Sequence, residues 1–195
     1  MQKNITFKGN KISRTTVKNN IIKVLDHSMP IELSDWYADA HNFCQYVSDK
    51  YTIPLDKVIG IVAALSPRKE WNLNKRIAID LIENGHCGQI GVFVNKAIDI
   101  TDRGNSESKI LSILNGQKIS AFFMNIKYPD CSDNVTIDRH AISVALGHIA
   151  SDNEQSMTAK EYTFFKDCYI FTARKLGIKP LLLQSITWMT WKRIK

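Results

Sequence analysis

The chain lacks the features that would place it in a membrane, at a metal centre or in a disordered class. No window of about 20 apolar residues occurs, the length a helix needs to cross a bilayer. The opening Met1-Gln2-Lys3-Asn4 leads into no apolar run of signal-peptide length. A soluble, cytoplasmic protein is expected. The four cysteines, Cys44, Cys87, Cys131 and Cys168, stand far apart, with no pair at the roughly two-to-four residue spacing of zinc and iron–sulfur sites. They are read as buried thiols of a reducing compartment, and neither a metal nor a cofactor is expected. No phosphate loop and no Ser-His-Asp set stands at recognisable spacing, and there is no internal repeat. Acid is also in deficit, because 19 Asp and Glu face 26 Lys and Arg, a formal charge of +7. That balance points to a polyanionic partner, since cations that neutralise phosphates release condensed counterions.

What the chain does have is helical period. At 195 residues and 44% hydrophobic it can bury a sizeable core as a single domain over residues 1–195, of one body or two closely packed helical lobes. Residues 1–13 are an arm or a short hairpin, with Ile5, Phe7 and Ile12 alternating around Gly9-Asn10. Beyond them Val17, Ile21, Val24 and Leu25 form one stripe, and Trp36, Ala40, Phe43 and Val47 form a second behind a Ser34 cap. Pro54 opens a helix that ends at Ser66-Pro67, and residues 70–84 form the next, closed by Gly85. Residues 86–104 are ambiguous. Helices over 109–114 and 118–126 flank a turn at Asn115-Gly116, and 128–134 is a loop. A helix follows over 137–147. Thr158-x-x-Glu161 is a capping box for another, whose buried face is Tyr162, Phe165, Tyr169, Thr172, Ala173 and Leu176. Gly177 ends it and Pro180 starts the last. The architecture is all-α, with eight to ten helices.

Asp138 stands where a helix begins. Breaking an N-glycosidic bond builds positive charge on the sugar, which a fixed carboxylate stabilises or relieves by activating water. The helix macrodipole favours negative charge there, although an Asp in a first turn is also an ordinary N-cap. The backbone amides around Asn115, Gly116 and Gln117 are suited to hold a phosphate without reading sequence, or they simply connect two helices. Near the end, Gln184, Trp188 and Trp191 share a helical face beside Lys192 and Arg193. That stripe serves either as a base-stacking surface or as core.

Three segments fall in a telling order: Ala63-Ala64-Leu65-Ser66-Pro67-Arg68, then Leu114-Asn115-Gly116-Gln117-Lys118, then Val135-Thr136-Ile137-Asp138-Arg139-His140. Together they resemble the core of the helix-hairpin-helix DNA glycosylase superfamily, over roughly residues 54–147. The pattern hydrophobic, Asp, any residue, His matches in full. The hairpin matches in part, keeping the leucine and first glycine but lacking the proline and second glycine. The four-cysteine cluster loop of some members is absent. The whole chain also resembles a group of phage and bacterial proteins that share the Ala-Leu-Ser-Pro segment, the Val-Thr-Ile-Asp-Arg-His-Ala segment and a Trp-rich last helix.

The resemblance implies a two-lobed helical fold that binds double-stranded DNA, flips a modified or damaged base and excises it. It implies Asp138 as the acidic catalyst, His140 as its structural or hydrogen-bonding neighbour, and Ser66 and Arg68 as the segment that fills the gap left by the extruded nucleotide. Lys118, 20 residues before Asp138, matches the lysine that attacks the sugar in members that also nick the strand. Two other expectations stand beside excision. Phage members of the broad superfamily are proposed to alter a pyrimidine base in DNA without releasing it, and a DNA-binding module without catalysis would carry the same fold.

Overall fold

In a computed structural model of the protein, which describes residues 2–33, 35–130 and 133–195, 70% of the chain is helical and the fold is all-α. A hairpin of β1 (Asn4–Phe7) and β2 (Asn10–Ser13) precedes α1 (Arg14–Leu25), a 3-10 turn (Pro30–Leu33), α2 (Trp36–Tyr51), α3 (Leu55–Leu65) and α4 (Trp71–Asn84). Then come α5 (Val92–Arg103), α6 (Glu107–Leu114), α7 (Gln117–Lys127), α8 (Arg139–Leu146), α9 (Asp152–Gln155), α10 (Ala159–Leu176) and α11 (Pro180–Ile194). The chain divides into two compact units, one of Met1–Tyr37 with Asp130–Lys195 and one of Ala38–Pro129.

In the first unit the hairpin folds onto α10. Ile5 and Phe7 point inward, and the Phe7 ring meets Phe165 edge-on at 5.0 Å. The turn is Lys8-Gly9, one residue earlier than the alternation suggests, with φ of 48° and 84°. Positive φ at both central positions is the type I′ form of a two-residue hairpin turn, and Gly9 supplies the second without strain. The core gathers Val17 and Ile21 of α1, Ile142 and Val144 of α8, Phe165 and Tyr169 of α10, and Leu183 and Trp191 of α11. The Thr158–Glu161 capping box is formed at the start of α10, and Gly177 ends that helix with φ of 67°. Leu176, expected on the buried face, is exposed, because it sits in the last turn beyond the reach of the core. The single-turn α9 has a capping box of its own, Ser151 with Glu154. It is too short to carry an apolar stripe, and it takes the number of α-helices among the described residues to eleven. The Ser34 cap falls outside the described residues.

In the second unit α3 is the central element. Every residue from Val58 to Leu65 is buried, and α4, α5, α6 and α7 pack around it. Gly60 permits a close approach of α5 and α6. A Cβ there would stand 2.8 Å from Ile110 Cγ2 of α6 and 3.1 Å from Ile100 Cγ2 of α5. Both neighbours are fully buried, so neither can swing aside. Gly60→Ala should therefore lose about 1–2 kcal/mol in urea unfolding, the overpacking cost outweighing the helix propensity of alanine. Equal or greater stability would show that α5 and α6 can move off α3. At the unit's edge Lys127 Nζ donates to Asp56 Oδ2 at 2.6 Å and Glu107 Oε2 at 2.8 Å, tying the starts of α3 and α6 to the end of α7. Burial works against the Lys127 charge, but these bonds outweigh it and hold its pKa above the usual lysine range.

Candidate active site

Asp138 is the N-cap of α8. Its Oδ1 accepts from His140 N at 3.0 Å and from Ala141 N at 2.8 Å. Both cap bonds end on one oxygen, so Oδ2 is not spent on the helix. The carboxylate is half-buried, and the segment leading to it is held from behind by α10. Tyr162 Oη donates to Val135 O at 3.1 Å and accepts from Ile137 N at 3.2 Å, fixing the two peptide groups just before Asp138. Tyr169 Oη donates to Ala141 O at 3.1 Å, fixing the turn just after it. Burial raises both phenols above the tyrosine range, and the negative charge of Asp138 adds to the effect, so both stay neutral donors.

Beside this cap the unit assembles aromatic rings. Trp36 and Trp188 meet edge to face at 5.6 Å, and His140 lies 6.4 Å from Trp188. Lys192 Nζ stands 4.9 Å from the Trp188 ring centre. Both tryptophans are half-buried, so each keeps accessible surface. One turn before Trp188 on α11, Gln184 is 4% exposed. Its Oε1 accepts from Tyr37 Oη at 2.8 Å, while Tyr37 Oη lies 3.3 Å from Thr136 Oγ1. With its oxygen engaged by Tyr37, the Gln184 amide has its NH2 group as a remaining donor.

Trp191 differs from Trp188. It is 4% exposed and belongs to the core of its unit, which removes it from any stacking surface. The helical period alone places it with Trp188, but α11 is buried over more than one face, and the wider buried arc takes in position 191. Arg193 is likewise engaged, its guanidinium bound to Glu32. The basic end of the chain thus offers fewer cations to a partner than its sequence suggests.

The remaining candidates belong to the second unit. α6 ends on Asn115, left-handed with φ of 42°, and Gly116 is the N-cap of α7, with no side chain bonded to the first-turn amides. Gly116 is extended, at φ of 174°, and a Cβ there would meet nothing closer than Leu114 O at 4.0 Å. The fold itself does not demand glycine at this position. Asn115, Gly116, Gln117 and Lys118 are all exposed. A lysine nucleophile needs desolvation or a nearby cation, and an exposed helical lysine has no burial to provide the first.

Ser66 caps α3, its Oγ donating to Ala63 O at 2.9 Å. Ser66-Pro67-Arg68-Lys69 closes as a turn, with Lys69 N donating to Ser66 O at 3.1 Å. Arg68 is exposed and left-handed, with φ of 60°. This is the third turn position behind a proline, where glycine or asparagine is the unstrained choice. Arg68→Gly is therefore expected to raise stability by about 0.5–1 kcal/mol in a urea melt, whereas Arg68→Ala keeps the strain and changes little. A destabilised glycine variant would mean that the guanidinium holds the loop.

Among the described residues no three His, Cys, Asp or Glu side chains converge as metal ligands would, and no helix is long and apolar enough to cross a membrane. Cys44, Cys87 and Cys168 are buried, and burial pushes the Cys44 and Cys168 thiols up to about 12, which removes them as nucleophiles. Cys131 lies outside the described residues.

The fold and this site define an all-α protein with a carboxylate fixed at a helix N-terminus beside half-buried indoles. The chain belongs to DUF7178, a family of unknown function whose model matches residues 3–195. No curated protein and no solved structure matches it.

Proposed function

We propose that this protein is a DNA N-glycosylase that receives a flipped base and cleaves its bond to the sugar, with Asp138 as the acidic catalyst. The observation that carries the reading is the division of labour on the Asp138 carboxylate. Oδ1 holds the helix, and Oδ2 is left to face a developing cation. As the C–N bond breaks, its electron pair leaves with the base and the sugar becomes oxocarbenium-like. An anion held by two backbone amides, on a backbone that Tyr162 and Tyr169 fix on either side, needs little reorganisation to meet that charge. Water then adds to the sugar carbon, and its proton passes to the carboxylate or to the departing base.

The neighbouring groups suit a nucleobase. The accessible parts of Trp188 and Trp36 provide aromatic surface, and the Gln184 amide adds a hydrogen-bond donor one turn away. The exposed, uncapped start of α7, with a glycine that its own fold does not need, suits the close approach of a phosphate. Arg68 at the tip of its turn suits insertion into the gap left by an extruded nucleotide. The resemblance of Ile137-Asp138-Arg139-His140 to the superfamily pattern supports this reaction at Asp138.

Duplex DNA carrying normal and phage-modified bases, incubated with the protein, should release free base detectable by mass spectrometry. A base changed in mass but retained on the strand would identify a base-modifying enzyme instead, and binding without either product a non-catalytic module. Borohydride decides the role of Lys118. A trapped covalent adduct that Lys118→Gln abolishes makes it the nucleophile, and base release without an adduct leaves water in that role.

A further inference from the structure

Among the described residues no strand pairs with the outer edge of β1, and the backbone register fixes what that edge presents. Arg14 N donates to Lys3 O at 2.9 Å, making Lys3 and Arg14 a hydrogen-bonded pair. Ile5 stands opposite Ile12, and Phe7 opposite Asn10. The alternation of an antiparallel ladder makes these two pairs hydrogen-bonded as well. The peptide groups of Asn4 and Thr6 therefore face away from β2. The outward carbonyl of Asn4 already accepts a bond of 2.6 Å from Gln2 Nε2, a side-chain amide standing where the N–H of an added strand would donate. The edge is also firm, because Ile5 and Phe7 anchor β1 in the core.

A groove of about 400 Å³ lies along this edge, bordered by Asn4, Thr6 and Lys11 of the hairpin and by Thr158, Lys160 and Glu161 where α10 begins. Its lining sets two lysines against one carboxylate. Lys11 and Lys160 are exposed. The carboxylate of Glu161 is taken up by Thr158 N at 2.7 Å and Thr158 Oγ1 at 2.8 Å, with Lys8 Nζ at 4.0 Å. The groove thus offers a row of backbone donors and acceptors flanked by two cations.

We infer that this groove takes an extended, acidic segment of a partner protein, which adds to the free edge of β1 as a third strand and sets carboxylates against Lys11 and Lys160. A second copy of the same edge would bring the lysines of both chains together, and like charge opposes that pairing. An acidic strand meets no such repulsion. The inference stands apart from the reaction at Asp138.

The test uses the full chain and a fluorescein-labelled heptapeptide of alternating valine and glutamate, with lysine in place of glutamate as its counterpart, followed by anisotropy at low salt. The acidic peptide should bind and the basic one should not, and amide exchange at Asn4 and Thr6 should slow in the complex. Thr6→Pro removes an outward N–H without removing a ladder bond, and the double variant Lys11→Glu, Lys160→Glu reverses both cations. Each should weaken binding by about tenfold, the first by removing a strand hydrogen bond and the second by turning two exposed charge contacts repulsive. If Thr6→Pro fails to fold, the charge variant and the exchange measurement carry the test. Equal binding of both peptides, or unchanged exchange at Asn4 and Thr6, would overturn the inference. So would displacement by duplex DNA together with indifference to Thr6→Pro, which would leave two lysines that attract any polyanion.

Discussion

Asp138→Asn is expected to keep the fold and the DNA affinity while base release falls by about two to three orders of magnitude, the usual consequence of removing a preorganised charge contact from a transition state. The substitution suits the question because of how the side chain is used. The asparagine carbonyl can accept from His140 N and Ala141 N as Oδ1 does, and asparagine equals aspartate as an N-cap, so unfolding should shift by less than about 0.5 kcal/mol. What is lost is the negative charge and the oxygen the cap does not use. Asp138→Ala provides the contrast, losing the cap as well, at about 1 kcal/mol. Turnover measured on single-base-modified duplexes, beside a urea melt, separates the two. Full turnover in the asparagine variant would reduce Asp138 to a helix cap and withdraw the proposed reaction.

Much of the fold is legible where a local rule acts alone. The capping box at Thr158 and Glu161, the left-handed glycines at 85 and 177 and the proline that opens α11 each mark a helix end through backbone chemistry that no distant contact overrides. Position 138 is legible for the same reason. What the pattern misses depends on packing between segments far apart in sequence. Tyr162 and Tyr169 read as core aromatics, and they are buried, yet their hydroxyls reach Val135, Ile137 and Ala141 and set the backbone around Asp138. Nothing in the spacing of α10 announces a bond to residues more than twenty positions earlier. Trp188 and Trp191 differ for a related reason. The two share a helical face by period, but which of them keeps surface depends on what covers each side of α11, and that is set by α1, α8 and α10.

The other large effect is expected at Glu32, which carries no part of the proposed chemistry but clamps the helix that bears Gln184 and Trp188. Glu32 is 5% exposed. It accepts from Arg193 Nε at 2.7 Å, Arg193 Nη2 at 3.1 Å, Thr190 Oγ1 at 2.9 Å and Met29 N at 2.8 Å. These bonds, led by the Arg193 guanidinium, outweigh the cost of burial and hold its pKa down at about 2 against an ordinary 4.5. A depressed carboxylate contributes stability that is fully present above its unfolded pKa. That contribution fades as pH falls from about 4.5 toward 2, because the unfolded chain then takes up a proton that the folded carboxylate does not bind. Glu32→Gln should therefore cost about 2–3 kcal/mol at neutral pH, moderated because the half-exposed Arg193 can turn to water. The deficit should shrink as both proteins are acidified through that window, since the wild type loses what the variant never had. Urea unfolding at a series of pH values from neutral down to the lowest at which the wild type folds would display the convergence. A deficit that stays constant with pH would mean that the Glu32 side chain acts through packing, and that its charge does not hold α11 in place.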